Sequence, residues 1–347
     1  MKHADLHTEN AQVDLTDWFL NSRIFDGKAY LEYYSARKKG PEYPEITGYA
    51  ISLCSILYDR TKDPKFLDRA ETCARFMFRI NRAGGIPCLR DNLLYSFDTG
   101  VYVSGLFDLY ALTKKEIYLT EAEKSLQWIC SLWNRKEFAA VDREPKNKDW
   151  YHVASVHLSK LVIPFMKAFK VLNDSEYMRT ALLLLNKSKK LQNPEGGFQI
   201  HEDSNRILTH PHCYATEGAL YAYNLSKSEE LLNMIKRSAA WLRKMQNADG
   251  SFNLSYGIDE NTLRERTLNS TKATDSTAQA TRIWKLLGFN QSGIAKAYSY
   301  LNDQHNDNGL TLYSSQSPKA VYSWPAFFYM HSLMLPFGQV DYSKELF

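Results

Sequence analysis

No stretch of this chain approaches the roughly 20 consecutive apolar residues of a membrane-spanning helix. Its first residues, Met1-Lys2-His3-Ala4-Asp5-Leu6, lack the apolar core of a secretory signal. No Cys-x-x-Cys pair occurs. The five cysteines (Cys54, Cys73, Cys88, Cys130, Cys213) are odd in number. Four lie in or beside apolar helical runs, where a reduced thiol behaves as a small hydrophobe. A disulfide framework is thereby excluded, and a cytoplasmic protein is expected. Charge of one sign is also scarce. The 43 basic and 39 acidic residues leave a net charge of +4, with no basic block interleaved with aromatics. Nucleic acid is therefore not an expected partner.

What the chain does have is aromatic side chains, at 13%, with 22 tyrosines among them. A buried tyrosine wants a partner for its hydroxyl. So many of them point either to a wet, polar-lined cavity or to large helix–helix interfaces.

The sequence repeats itself. Leu191-Gln192-Asn193-Pro194-Glu195-Gly196-Gly197-Phe198, Met245 to Phe252 and Asp303 to Leu310 share one pattern: a helix ending near a glutamine, a glycine turn, then an apolar residue. Ile80 to Ile86 is a degenerate copy. Short polar joints alternate with these, at Arg60 to Pro64, Thr113 to Glu116, Leu172 to Ser175, Ser226 to Glu229 and Gly288 to Gln291. Each has the length of a helix-hairpin turn. Asp63, Asp174 and Ser226 are expected to cap the second helix of their pairs.

First helices are expected to begin near Glu45, Asp98, His152, His212, Asp275 and Trp324, at intervals of about 50–60 residues. The last, Ser323 to Leu335, has no partner after it, and the helical stretch Gln12 to Arg23 has none before it. Pairing the two closes a ring. The predicted architecture is an all-α, (α/α)6 toroid of six helical hairpins forming a single domain over residues 1–347. Its inner helices are apolar nearly all round and its outer ones amphipathic.

All long loops feed inner-helix starts, so those starts share one end of the barrel. The richest is Thr209-His210-Pro211-His212-Cys213-Tyr214-Ala215-Thr216-Glu217-Gly218, where a helix start offers free N–H groups and a positive dipole end. The predicted funnel is lined by Tyr43, Glu45, Asp98, Trp150, Tyr151, His152, His210, His212, Tyr214, Glu217, Asp275, Tyr322 and Trp324. Glu45, Asp98 and Asp275 are candidate acid/base carboxylates, although an acid at a helix start also serves as a cap. His152, His210 and His212 are candidate proton-transfer groups. His210, Tyr214 and Glu217 are placed with the aromatics in substrate binding. His157, His331, Trp284 and Tyr329 are read as core residues.

The Gln-to-Gly-Phe joints resemble the repeat signature of terpenoid-cyclase and protein-prenyltransferase toroids. Glu195 to Tyr214 is similar to the segment that carries two zinc ligands in prenyltransferase β-subunits. Only Cys213 matches there. Pro211 stands where an aspartate is expected, and Asp275-Ser276 where a histidine is. No Asp-x-Asp-Asp proton-donor motif occurs. A second resemblance is to the VpsJ-like toroidal proteins of microbial exopolysaccharide clusters, within the wider six-hairpin glycosidase-like class. It is carried by Tyr43 to Tyr49, Phe97-Asp98-Thr99-Gly100, Trp150 to Ala154, Leu208-Thr209-His210 and the Asp275 to Trp284 helix. Val101 departs from a frequent glutamine there, and His212-Cys213 from the usual filling.

The resemblance implies a carbohydrate partner and a polysaccharide-biosynthesis setting. The expected activity is a hydrolase, lyase or epimerase using rim carboxylates and histidines, without an organic cofactor. A zinc site at His210, His212, Cys213 and Asp275 is a lesser alternative. A non-catalytic glycan-binding scaffold and an isoprenoid-processing toroid are the other two readings.

Overall fold

Apolar segments with helical periodicity, separated by alternating short and long joints, fold as paired helices. The computed structural model describes residues 15–135, 137–146, 148–259, 265–306, 309–311, 320–338 and 341–347. The helices are α1 (15–21), α2 (Pro44–Thr61), α3 (Pro64–Ile80), α4 (Ser96–Thr113), α5 (Glu116–Arg135), α6 (Val162–Leu172), α7 (Ser175–Leu191), α8 (Thr209–Ser226), α9 (Glu229–Met245), α10 (Thr274–Leu287), α11 (Gln291–Gln304), α12 (Ser323–Met334) and the short α13 (Tyr342–Glu345). Residues 12–14 of the predicted first helix lie outside the described residues.

The inner wall runs α2, α4, α6, α8, α10, α12, each against the next, and α12 closes back on α2. Outer helices α3, α5, α7, α9 and α11 each pack on the inner helix preceding them. The sixth pair joins the two ends of the chain: Phe19 of α1 meets Phe327 of α12 edge-on, with ring centroids 4.9 Å apart. This is the (α/α)6 toroid. Among the described residues no helix is long and apolar enough to cross a membrane.

The repeat signature has a mechanical reason. Gln192 Nε2 donates to the Gly196 carbonyl at 3.1 Å and to the Met234 carbonyl of α9 at 2.9 Å. Gln246 Nε2 does the same to Gly250 (3.0 Å) and to Gly293 of α11 (2.8 Å). Each glutamine thus staples its glycine turn to the next outer helix. Glycine is required because φ is +103° at Gly196 and +89° at Gly250, and a Cβ there would lie 2.3 and 2.2 Å from the Arg237 and Lys296 carbonyl oxygens. The short joints use left-handed residues instead, at Lys62, Lys114, Asn173, Lys227 and Gly288.

Three expectations change. The third inner helix does not begin at His152: a 3-10 segment, Val156–Leu161, precedes α6. Pro164 explains this, because it lacks an N–H for residue 160 and fits only the first turn of an α-helix. Ser228, not Ser226, caps α9, accepting from the Leu231 N–H, whereas Asp63 and Asp174 cap as expected. The long joint before α10 is not a plain loop. Phe252–Ile258 and Glu265–Ala273 form an antiparallel hairpin that also pairs with Arg206–Leu208, as its Thr, Tyr and Ile content favours.

Candidate active site

The inner-helix starts do open onto one mouth. A cavity of about 600 Å³ lies there, and Glu45, Asp275, His210, Trp324 and the turn Trp150-Tyr151-His152 line it together with Tyr43 and Tyr322. Trp324 stands edge-on to Tyr43 and Tyr322, at 5.9 and 5.0 Å. Trp150 stands edge-on to Tyr151 and His210, at 5.3 and 6.4 Å. Two indoles therefore wall a polar cavity, an arrangement suited to stacking on the apolar faces of a polyol ring.

Three polar groupings meet in it. In the first, the Nδ1 edge of His210 is buried 3.6 Å from Asp275 Oδ2, which leaves the cavity to the opposite edge of the ring. Asp275 is fixed from two sides: Trp324 Nε1 donates to Oδ2 at 3.1 Å, and the Ser276 N–H to Oδ1 at 2.5 Å. In the second, His152 has Nδ1 2.7 Å from Asp149 Oδ1 and Nε2 3.4 Å from Asp91 Oδ2. In the third, Glu45 accepts from the hydroxyls of Tyr43 (2.8 Å), Tyr151 (2.9 Å) and Tyr214 (3.4 Å). The Tyr151 hydroxyl also bonds Asp98.

The capping alternative does not describe Glu45 or Asp98. The cap positions of α2 and α4 are Tyr43 and Tyr95, with no side-chain cap bond, and both carboxylates turn to phenols instead. Four predicted rim residues are not at the rim. Asp98 is fully buried beneath Tyr151. Burial, then the charge of Glu45, pushes its carboxyl well above the ordinary aspartate value. Tyr214 is buried behind His210, with ring centroids 4.4 Å apart, and reaches Glu45 rather than the cavity.

His212 faces the outer helix α9. Its Nδ1 accepts the Phe198 N–H at 3.1 Å and its Nε2 lies 3.0 Å from Ser238 Oγ. Burial drives its pKa down to about 3, so the ring is a neutral strut. His212→Phe is expected to lower the unfolding free energy by about 1–3 kcal/mol in denaturant titrations, the cost of leaving buried partners unpaired. An unchanged midpoint would deny it that role. Of the residues named in the lesser zinc alternative, His212 faces α9 while His210 faces Asp275, and among the described residues no three His, Cys, Asp or Glu side chains are grouped to hold a metal ion.

Glu217 lies deeper still, between Lys160 and Arg282. Its Oε2 is 2.5 Å from Lys160 Nζ, and its Oε1 3.2 Å from Arg282 Nη1, off hydrogen-bond alignment. All three side chains are buried. His331 and Trp284 are partnered in the core, by Arg282 Nε and the Ala239 carbonyl. Tyr329 donates to Asn302 at 2.6 Å. His157 is buried as expected, stacked 5.5 Å from Tyr151, and among the described residues only its Nδ1 has a partner, Ser155.

Sequence reasoning missed Glu32, Arg90, Asp91 and Arg206, which also line the cavity. Arg90 pairs with Glu32 at 3.1 Å and lies 5.2 Å above the Tyr43 ring. The Cys88-Leu89-Arg90-Asp91 charge pair, directly before an inner helix, was the available signal.

No family model matches the chain, and no curated protein does. Solved structures match in fold. The chain is similar to cellobiose 2-epimerase from Bacillus thermoamylovorans, with a TM-score of 0.78 and 10% identity over 95% of this chain and 98% of that one. It is similar to unsaturated glucuronyl hydrolase from Bacillus sp. GL1, with a TM-score of 0.70 and 13% identity over 95% and 96%. It is also similar to a family 76 glycoside hydrolase from a bovine Bacteroides thetaiotaomicron strain, with a TM-score of 0.67 and 10% identity over 94% and 77%. These neighbours share the six-hairpin, glycosidase-like toroid.

Proposed function

We propose that the protein is a sugar-processing enzyme of epimerase type, acting on a glycan or a sugar intermediate of polysaccharide metabolism. The observation that carries this is the His210–Asp275 pair at the cavity wall, with Trp324 fixing the carboxylate. A histidine with one edge open to a cavity and the other facing a carboxylate is equipped to take a proton.

In this reading His210 abstracts the proton from the carbon next to the carbonyl of an open-chain sugar. The C–H electrons form the enediol double bond, and the carbonyl oxygen takes a proton from Glu45. His152, held between Asp149 and Asp91, returns a proton to carbon. The enediol electrons form the new C–H bond, and the carbonyl re-forms as the oxygen's proton goes back to Glu45. His210 then gives its proton to solvent, and His152 takes one from it. Trp150 and Trp324 hold the ring faces. Side chains and solvent supply every proton, so the reaction requires no organic cofactor.

The sugar epimerases among the fold neighbours support this reading, and the VpsJ-like sequence elements favour a polysaccharide-biosynthesis setting. A second reading, glycoside hydrolysis, is favoured by one feature: Glu45 and Asp275 line the same cavity.

The test is incubation with reducing mono- and disaccharides, beginning with cellobiose, in D2O and following the proton NMR spectrum. Epimerisation predicts a new stereoisomer carrying deuterium on carbon, because a histidine proton exchanges with solvent before it returns. New reducing ends without carbon-bound deuterium would replace this reading with hydrolysis. Binding without either product would make the protein a lectin-like scaffold.

A further inference from the structure

We infer that Glu45 and Asp98 form a one-proton carboxyl pair bridged by the Tyr151 hydroxyl, which lets Glu45 meet substrate oxygens as either base or acid. The role at substrate rests on the sugar-processing reading above; the shared proton does not.

The argument is a proton count. Tyr151 Oη lies within hydrogen-bond reach of Glu45 Oε2, at 2.9 Å, and of Asp98 Oδ1. A phenol has one proton to donate. It can satisfy one carboxylate, and towards the other it must accept, so that other group must itself hold a proton. Two anions sharing one hydroxyl would leave a buried repulsion with nothing between them. The surroundings decide which carboxyl is the acid. Glu45 lines the cavity and has two further phenol donors, Tyr43 and Tyr214. Asp98 is fully buried, and its Oδ2 has no partner among the described residues.

The other charged groups do not reverse this. Arg90 favours the Asp98 anion, but it is engaged with Glu32 and opposed by Asp91 on the same loop. Of the other titratable groups facing the pair, Cys88, Tyr95, Tyr43 and Tyr49 are neutral, their pKa values raised chiefly by burial, and the Lys160 cation is attracted to Glu45. Burial and the Glu45 charge both push the Asp98 carboxyl upward, in the same sense as the count.

The resting state is therefore Asp98–COOH, Tyr151–OH, Glu45–COO⁻. When Asp98 gives its proton to Tyr151 Oη and Tyr151 gives its own to Glu45, the state becomes Asp98–COO⁻, Tyr151–OH, Glu45–COOH. The O–H broken at Asp98 is balanced by the O–H made at Glu45, and charge is conserved. Glu45 then protonates a substrate oxygen, and a substrate hydroxyl later reverses the path. Asp98 never touches substrate; it positions the proton. Like-charge carboxyl pairs that share one proton separate their two ionisations in this way.

Two measurements test this. In protein labelled with carbon-13 at the aspartate carboxyl, one signal should remain in the protonated range at pH 7, and Asp98→Asn should remove it. Asparagine is nearly isosteric with a neutral aspartic acid, so the variant folds. Ionisation of every aspartate below pH 5 would overturn the pair, whatever reaction the enzyme performs. In the deuterium-exchange assay, Asp98→Asn and Tyr151→Phe should each lower kcat about 100-fold with KM little changed, and each should move the acid limb of the pH–rate profile. Variants that keep the wild-type profile would show that the bridge is structural. A protonated Asp98 in a protein that turns over no sugar would leave the pair standing and sink only the functional reading.

Discussion

Glu217→Ala is expected to destabilise the protein by about 3–5 kcal/mol, the usual cost of removing one partner from a buried ion pair. The cost should fall at the upper end, because this one carboxylate serves two cations. Lys160 arrives from the 3-10 segment, Glu217 from α8 and Arg282 from α10, and all three are buried. The aromatic faces of Tyr49 and Tyr214 lie 4.8 and 4.9 Å from the Lys160 ammonium. Phe328 and Phe347 lie 4.9 and 4.4 Å from the Arg282 guanidinium. These faces ease the burial of charge without neutralising it.

The shifts of the two partners differ for a physical reason. Burial opposes the Glu217 anion, but Arg282 and Lys160 outweigh it and hold its pKa below the usual glutamate value. Lys160 has Glu217 beside it, a smaller contribution from Glu45 and a repelling Arg282, so burial wins and its pKa falls to about 8. A depressed carboxyl contributes stability that is complete above its unfolded pKa and is lost as pH falls through the folded value. Wild type should therefore lose part of its stability below the ordinary glutamate range, and Glu217→Ala should lack that part of the acid slope. Denaturant unfolding from pH 7 down through the range below the ordinary glutamate pKa, to about pH 2.5, reads both effects. An alanine variant within 1 kcal/mol of wild type would mean that water reaches the cluster.

The toroid was legible because its signals are local. A glutamine followed by a glycine turn needs no distant partner to be recognised, and the structure gives it a fixed job at the next outer helix. Facing was not legible. His210 and His212 are two residues apart, so their side chains leave the helix axis about 200° apart. One must face inward if the other faces α9. On a helix that is apolar all round, composition does not say which. Tyr214 and Glu217, four and seven residues on, share the face of His210 and fail for depth instead, lying further down the barrel than the rim. Arg206 enters the cavity because its strand pairs with Phe252–Ile258, a contact about 50 residues away that no local pattern announces. The Lys160–Glu217–Arg282 cluster did leave a trace. Lys160 and Glu217 are each the lone formal charge of their inner elements, whereas Arg282 shares α10 with Asp275 and Lys285, and buried charges of opposite sign require one another.

His210→Phe is expected to lower kcat by about 10³-fold, within the range for loss of a general base, and to leave KM within a few-fold. Phenylalanine keeps the aromatic packing that His210 makes against Tyr214 and Phe328, at 4.4 and 6.1 Å. It also strips no hydrogen bond from Asp275, which keeps Trp324 and Ser276. The midpoint of thermal unfolding should therefore stay close to that of wild type, so that a loss of rate is a loss of chemistry. Asp275→Asn separates the two readings of the cavity. If Asp275 only assists the His210 ring, the asparagine variant should lose about 10-fold to 100-fold, less than His210→Phe, because an amide still accepts the indole N–H and leaves only the nearby negative charge missing. If Asp275 is instead a carboxylate of glycoside hydrolysis, the order inverts: Asp275→Asn abolishes turnover while His210→Phe is mild. Measuring kcat and KM for both variants on the same sugar decides between carbon and glycosidic oxygen as the atom that receives the proton.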